Sequence, residues 1–395
     1  MATAAAGNVA RMRGFLQWVG ALVIVGALLF YGAGGWYFSN ELIADAFEVS
    51  ISEPEEHVRV VGVDGTMIEL QEATGSDSDL ERDGEYGLRW DGGYARVGDI
   101  LERGSTISRS FSAQFGAEPG LGQLVAVDAA AYPDDPGTAF GAEWETITFD
   151  AGLGEMEAWL IPGSDDSWVV HVHGKGATRS EALRGVGSFI DDGLSQLVIS
   201  YRNDEGGPFD PSGHYQYGVT EWEDLAAAVD LAVAGGAESV VLFGYSTGAA
   251  IALSYLEQAP GDEVVVGAVF DAPNVDFAAT VNFNASQRTL PFTEVPVPRS
   301  LAWVARTITT FRIGVDWSAI DYVERADQLS VPILVFHGSD DSTVPIETSR
   351  RLAGASDRVE LIEVFGAEHV RSWNVDSEAY ESAVNGAVAA MLPDS

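Results

Sequence analysis

The residues Gly244-Tyr245-Ser246-Thr247-Gly248 close the apolar run Val240-Val241-Leu242-Phe243 and open the small-residue run Ala249-Ala250-Ile251-Ala252-Leu253. The pattern reads as a buried strand that turns sharply into a helix around a serine. Such a turn is crowded and strained, and glycines on either side let the helix pack back on the strand where a Cβ would collide. The hydroxyl of Ser246 is thereby pushed to the end of the strand.

The surrounding chain repeats the same alternation. Residues 145–149 and 156–161 alternate like a leading hairpin. Short apolar runs at 168–173, 196–201, 264–270, 331–336 and 359–365 read as buried strands separated by helical stretches. Thr220 and Glu223 form a capping box, after which Leu225, Val229, Ala232 and Val233 follow at helical spacing until Gly235-Gly236. Strands alternating with helices predict an α/β fold over residues 140–395, with a mostly parallel central sheet flanked by helices and functional loops at the carboxyl ends of the strands. Between about 274 and 329 the periodicity changes around Pro291, Pro296 and Pro298, which predicts a small cap insertion. Its aromatics Phe283, Phe292, Trp303 and Phe311 are expected either to line an acyl pocket or to pack the cap onto the core.

Two strands downstream of Ser246 end in residues that complete a nucleophilic site. The run Val331-Pro332-Ile333-Leu334-Val335-Phe336 is followed by His337-Gly338-Ser339-Asp340-Asp341-Ser342-Thr343-Val344-Pro345, which delivers an acid. The next strand is followed by Gly366-Ala367-Glu368-His369, which delivers a histidine to the same edge. Asp341 is favoured as the acid by its spacing from His337-Gly338 and Val344-Pro345; Asp340 is the turn residue beside it, and Asp271, after the strand at 264–270, is the fallback. Of the six histidines, His369 lies beyond both serine and acid and is the expected general base. His337 is expected to satisfy local backbone groups, and His171 and His173 to pack and to shape a loop.

The strand at 168–172 ends in His173-Gly174-Lys175-Gly176, a glycine-bracketed loop whose amides can approach a ligand closely. The amides of Lys175 and Thr247 are the expected oxyanion donors, and His173, Gly174, Gly176 and Tyr245 the expected substrate-contacting residues. Lys175 is the one lysine in the chain, its side chain either solvated or facing substrate.

Together these residues resemble the α/β-hydrolase superfamily. More narrowly, Tyr201-Arg202-Asn203-Asp204, Thr220-Glu221-Trp222-Glu223-Asp224-Leu225, Asp271-Ala272-Pro273 and Trp373-Asn374 resemble membrane-anchored actinobacterial serine hydrolases of the esterase or serine aminopeptidase kind. The resemblance implies catalytic positions for Ser246, Asp341 and His369 and oxyanion positions for Lys175 and Thr247. It implies a small-molecule or lipid-like ester as substrate, with a peptide or amide bond as the alternative, and no cofactor or metal. One departure stands out: relatives usually carry methionine and a second glycine after the serine, where Thr247, Gly248 and Ala249 stand here. A reading from a different class is a catalytically silent, membrane-tethered binding protein, for which His369 would point away from Ser246.

Residues 15–38 form a 24-residue stretch without a charged side chain. As a helix it spans about 36 Å, enough to cross a bilayer with some tilt. Arg11 and Arg13 precede it and Glu41, Asp45 and Glu48 follow, which predicts a signal anchor with residues 1–14 cytoplasmic and the catalytic domain outside. A cleaved signal peptide, with Ala44-Asp45-Ala46 at the cleavage site, is the alternative. Residues 47–135 are expected to form a small β-rich module, with strands at 58–63, 66–70 and 86–90 and a role as spacer or platform.

With 60 acidic against 21 basic residues the net charge is −39. Nucleic acid is thereby excluded as a partner, because phosphate contact needs clustered Lys or Arg. The chain has no cysteine, which excludes disulfides and thiol catalysis.

Overall fold

A computed structural model describes residues 2–51, 55–73, 79–204, 207–259, 261 and 263–393. The chain divides into two compact units: Met1–Glu48 with Val281–Asp316, and Val49–Thr280 with Trp317–Ser395.

The larger unit holds two sheets. The first is a closed barrel of β1 (Val58–Val63), β2 (Met67–Glu72), β3 (Tyr86–Trp90), β4 (Gly93–Arg103), β5 (Ile107–Gly116) and β6 (Leu124–Asp128), in the order β1-β2-β5-β4-β3-β6. Closure leaves no open edge strand. Inward-facing Val58, Val60, Ile68, Leu70, Leu88, Val97 and Phe111 form its core. Burying each such side chain contributes roughly 1.5–3 kcal/mol.

The second sheet has eight strands: β7 (Glu145–Asp150), β8 (Glu155–Ile161), β9 (Ser167–Val172), β10 (Ser195–Ile199), β11 (Ser239–Tyr245), β12 (Val265–Asp271), β13 (Ile333–Gly338) and β14 (Val359–Val364), ordered β14-β13-β12-β11-β9-β10-β8-β7. The hairpin β7-β8 and the pair β8-β10 are antiparallel, and every other pairing is parallel. The central strands β9 to β12 are buried almost throughout, as a parallel sheet covered on both faces requires. The α/β fold is therefore the one the alternation of strands and helices predicts.

The helices are α1 (Ala2–Leu42), α2 (Pro136–Phe140), α3 (Leu183–Gly187), α4 (Trp222–Ala234), α5 (Thr247–Gln258), α6 (Phe277–Ser286), α7 (Arg299–Ile313), α8 (Glu347–Ala355), α9 (Ser372–Val375) and α10 (Ser377–Met391). The predicted capping box at α4 does not form. Thr220 donates its hydroxyl to Asp210, Glu223 pairs with Arg202, and α4 starts one residue later than the motif implies. Competing tertiary partners captured both side chains.

The smaller unit joins α1 to α7. Among the described residues, α1 carries the stretch long and apolar enough to cross a membrane, and none of its most apolar window is buried. A buried core helix of a soluble protein would hide that surface. The predicted acyl-pocket aromatics of the insertion are placed differently from either expectation: Phe292, Trp303 and Phe311 are exposed, and only Phe283 is half-buried.

Candidate active site

Ser246 follows β11 directly and has φ +48°, a region that non-glycine residues rarely enter. Gly244 and Gly248 make the turn possible. A Cβ on Gly244 would lie 2.6 Å from the Ala249 backbone, and one on Gly248 would lie 2.0 Å from the Val172 carbonyl oxygen. The strained residue is pinned on both sides: the Ser246 amide donates to the Asp271 carbonyl at 3.0 Å, and its own carbonyl accepts from the Asn274 amide at 3.1 Å. Helix α5 begins at Thr247, so the Thr247 amide belongs to the first turn, where N–H groups lack intrahelical acceptors and the helix dipole is positive.

The three side chains singled out by the sequence meet. His369 Nδ1–H donates to Asp341 Oδ2 at 2.8 Å, and Ser246 Oγ–H donates to His369 Nε2 at 2.9 Å. The tautomer follows from the partners, since an ionised carboxylate can only accept. Of the acids weighed, Asp340 is exposed and takes its own hydrogen bond from Ser339, while Asp271 accepts from the Ser372 hydroxyl at 2.7 Å. Asp341 is buried, and its Oδ1 accepts from the Thr343 and Val344 amides at 2.8 and 2.7 Å. Burial alone would raise its carboxyl, but the charge of His369 and hydrogen bonds from His337 and His369 hold it well below the usual carboxylate range. Asp271 goes the opposite way, its carboxyl pushed up by burial.

His337 braces the acid loop as expected. Its Nε2 lies 3.0 Å from the Val344 carbonyl and 3.2 Å from Asp341 Oδ2, and its Nδ1 lies 2.7 Å from Ser349 Oγ.

The loop after β9 passes against the serine: a Cβ on Gly174 would lie 3.3 Å from Ser246 Cβ. Gly174 is held by its amide, which donates to Glu181 at 2.7 Å, and by its carbonyl, which accepts from His173 Nδ1 and from the Tyr201 hydroxyl at 2.9 and 3.1 Å. His173 Nε2 donates to Asp204 at 2.6 Å. Both ring nitrogens thus face acceptors, which favours the imidazolium; burial opposes that charge, but Asp204 overrides it and the pKa of His173 is raised. The Lys175 ammonium lies over the Tyr215 ring, 5.4 Å from its centre.

Two expectations of substrate contact need correction. His173 is fully buried with both nitrogens engaged, so it braces the loop from behind. Tyr245 is fully buried and stacked on Phe243 at 5.1 Å between centroids. Strand alternation turns its side chain into the core while Ser246 stays half-buried at the strand end.

Sequence reasoning missed the residues that hold the histidine loop. Glu368 Oε2 accepts from the amides of His369 and Ser342, tying this loop to the acid loop, while its Oε1 accepts from Arg82 of the barrel at 3.3 Å. Arg371 donates to Asp79 at 2.9 and 3.1 Å. The Asn374 side chain donates to the carbonyls of Glu85 and Ala129 at 2.6 and 2.9 Å, and Ser377 donates to Glu85 at 3.0 Å. Adjacency of Glu368 to His369 and the Trp373-Asn374 motif were the available signals; the partners lie 245 to 292 residues away in sequence.

Residues 169–383 match the Alpha/beta hydrolase family, and residues 59–128 match a Domain of unknown function (DUF8805). Among solved structures, two crystal forms of the esterase Pf2001 from Pyrococcus furiosus align with TM-scores of 0.53 and 0.51, each at 18% identity. They cover 66% of this chain and 96% and 95% of their own. The esterase RhEst1 from Rhodococcus sp. ECU1013 aligns at 0.42 with 17% identity, over 63% of this chain and 99% of that one. At such identities the Pf2001 likeness speaks to the fold. No curated protein matches the chain.

Proposed function

Because this chain belongs to the alpha/beta hydrolase family, we propose that it is a membrane-anchored serine hydrolase that cleaves carboxylic esters through an acyl-enzyme. The observation that carries the reading is the unbroken hydrogen-bond chain from Asp341 through His369 to a serine held at φ +48° on a helix N-terminus. In this reading His369 Nε2 takes the proton of Ser246 Oγ as it attacks the acyl carbonyl. Asp341 keeps the imidazole in the tautomer that leaves Nε2 unprotonated and stabilises the cation that forms. The amides of Lys175 and Thr247 stabilise the oxyanion, each on the order of 3 kcal/mol. The proton then passes from His369 to the leaving alcohol, and water, deprotonated by the same imidazole, releases the acid and restores Ser246.

The silent-scaffold alternative predicted a histidine turned away, and the 2.9 Å contact to Ser246 speaks against it. Helix α1 is the anchor in this proposal, with the catalytic unit on the extracytoplasmic side. Membranes carrying the full chain are treated with a fluorophosphonate probe: wild type should label and Ser246→Ala should not. Unlabelled wild type, or labelling that persists in the variant, rejects the nucleophile. Hydrolysis of p-nitrophenyl esters of increasing acyl length, beside amino-acid amides, then decides ester against peptide chemistry.

A further inference from the structure

In a chain of net charge −39, the part of the insertion at residues 281–316 is basic, with Arg288, Arg299, Arg306 and Arg312 against Glu294 and Asp316. The same segment exposes large apolar side chains. Phe292 is 105%, Phe311 85% and Trp303 63% exposed, and Val295 is exposed beside them. Phe292 sits at the tip of a short turn between paired residues Thr289 and Pro296, with φ +62°. A bulky aromatic in that conformation, touching nothing, has no packing reason in the described residues.

The segment is fastened to the apolar helix. A Cβ on Gly35 of α1 would lie 2.6 Å from Val304 of α7, and one on Gly34 would lie 3.2 Å from Leu301, so small residues let the two backbones approach closely. Ser39 and Thr309 share a buried hydroxyl pair at 2.9 Å, and Tyr31 meets Ser300 at 2.9 Å. Arg312 donates to Ser39 at 3.0 Å and stacks over Trp36 at 4.4 Å. Arg288 pairs with Glu41 and Asp45. Tyr31 meets Ser300 and Ser39 meets Thr309, so the helices run in the same direction. Helix α7 therefore lies beside the final turns of the 15–38 apolar stretch, where a spanning helix leaves the hydrocarbon.

We infer that α7 and the turn at Phe292 form an interfacial membrane surface, seated in an anionic lipid headgroup layer alongside α1. This rests on the anchor reading above. Aromatic and aliphatic side chains with arginines around them suit the headgroup boundary, where apolar burial and attraction to anionic lipid act together. Both α7 and the α1 helix packed beside it expose apolar side chains, and α7 itself carries Arg299, Arg306 and Arg312 and no acid, so a lipid surface fits it better than the chain's own acidic surface does.

The absence of cysteine makes the test direct. Full-length Trp303→Cys, Phe311→Cys and, as a solvent control, Glu360→Cys are labelled with an environment-sensitive NBD dye and mixed with phosphatidylglycerol–phosphatidylcholine vesicles, then separated by flotation. The inference expects a several-fold intensity rise and a blue shift at 303 and 311, quenching there by nitroxide-labelled phospholipid, and neither change at 360. Chains that float while all three dyes stay water-exposed overturn it and leave the anchor standing. Chains that do not float overturn the anchor and this inference with it. A shift at 303 and 311 that grows with protein concentration without vesicles assigns the surface to a second copy and also overturns it.

Discussion

Asp341 and His369 stand 2.8 Å apart, yet the loops that carry them are held by different means. The acid loop is knitted from its own neighbourhood: Asp341 takes the amides of Thr343 and Val344, and His337 spans the Val344 carbonyl and Ser349. The histidine loop leans on residues 245 to 292 positions earlier, through Arg371 to Asp79, Glu368 to Arg82, and Asn374 to the Glu85 and Ala129 carbonyls. One half of the site is thus locally encoded, while the other depends on the barrel being folded and docked. Hydrogen bonds therefore join the barrel region to the histidine loop, contacts that the expected spacer or platform role does not by itself call for.

The largest expected effect tests the acid. Asp341→Asn should lower kcat by roughly 10⁴-fold through the wrong imidazole tautomer, with the fold intact by circular dichroism. Asp271→Asn should stay within a few-fold of wild type, and equal losses in the two variants would mean that the imidazole has a different partner in turnover. Next comes the barrel brace. The double change Asp79→Ala and Arg82→Ala should reduce kcat by about 10- to 100-fold with KM little altered, because a small displacement of a catalytic group costs that much. Unchanged kinetics with an unchanged melting temperature would return the barrel to a spacer.

A smaller loss is expected from the local half. Ser349→Ala removes one hydrogen bond to His337 and should cost about 1 kcal/mol of stability and little activity, read by urea unfolding beside esterase rate. A loss in activity matching the barrel double variant would erase the contrast between the two loops. The smallest effect is in pH dependence. Asp341 has a depressed carboxyl pKa in the folded chain, so its contribution to stability is present above the unfolded value of about 4 and is lost as pH falls through the folded one. Wild type should therefore lose stability below about pH 4 that Asp341→Asn does not lose. Asp271, with its raised pKa, has the reverse sign: its neutral form favours the fold at low pH, and that contribution fades as pH rises.

The β-barrel was only partly legible for a local reason. Strand β4 departs from alternation where its register to β5 shifts between Tyr94 and Ala95 and again between Val97 and Ile100, so the period of two that marks a strand is broken within it. The aromatics of the insertion were legible as aromatics, but no pattern in the chain distinguishes a pocket lining from an outer surface. Tyr245 illustrates the same limit at one residue's scale: Ser246 is half-buried at the end of the strand, and alternation sends its neighbour Tyr245 fully inward.

The sequence by itself determined the elements whose signals are local: a buried strand before a glycine-flanked serine, an acid turn braced by its own histidine, a charge-free stretch at 15–38 inside the amino-terminal helix. Each depends on side chains close to one another in sequence, where period, glycine placement and hydrogen-bonding capacity act directly on the backbone. Tertiary structure alone decided that Glu368, Arg371 and Asn374 find partners on the barrel, that His173 is buried against Asp204 behind its loop, and that α7 lies along α1. Those outcomes rest on which distant surfaces come into contact, and an ion pair or a close helix crossing leaves no period in the chain to announce it.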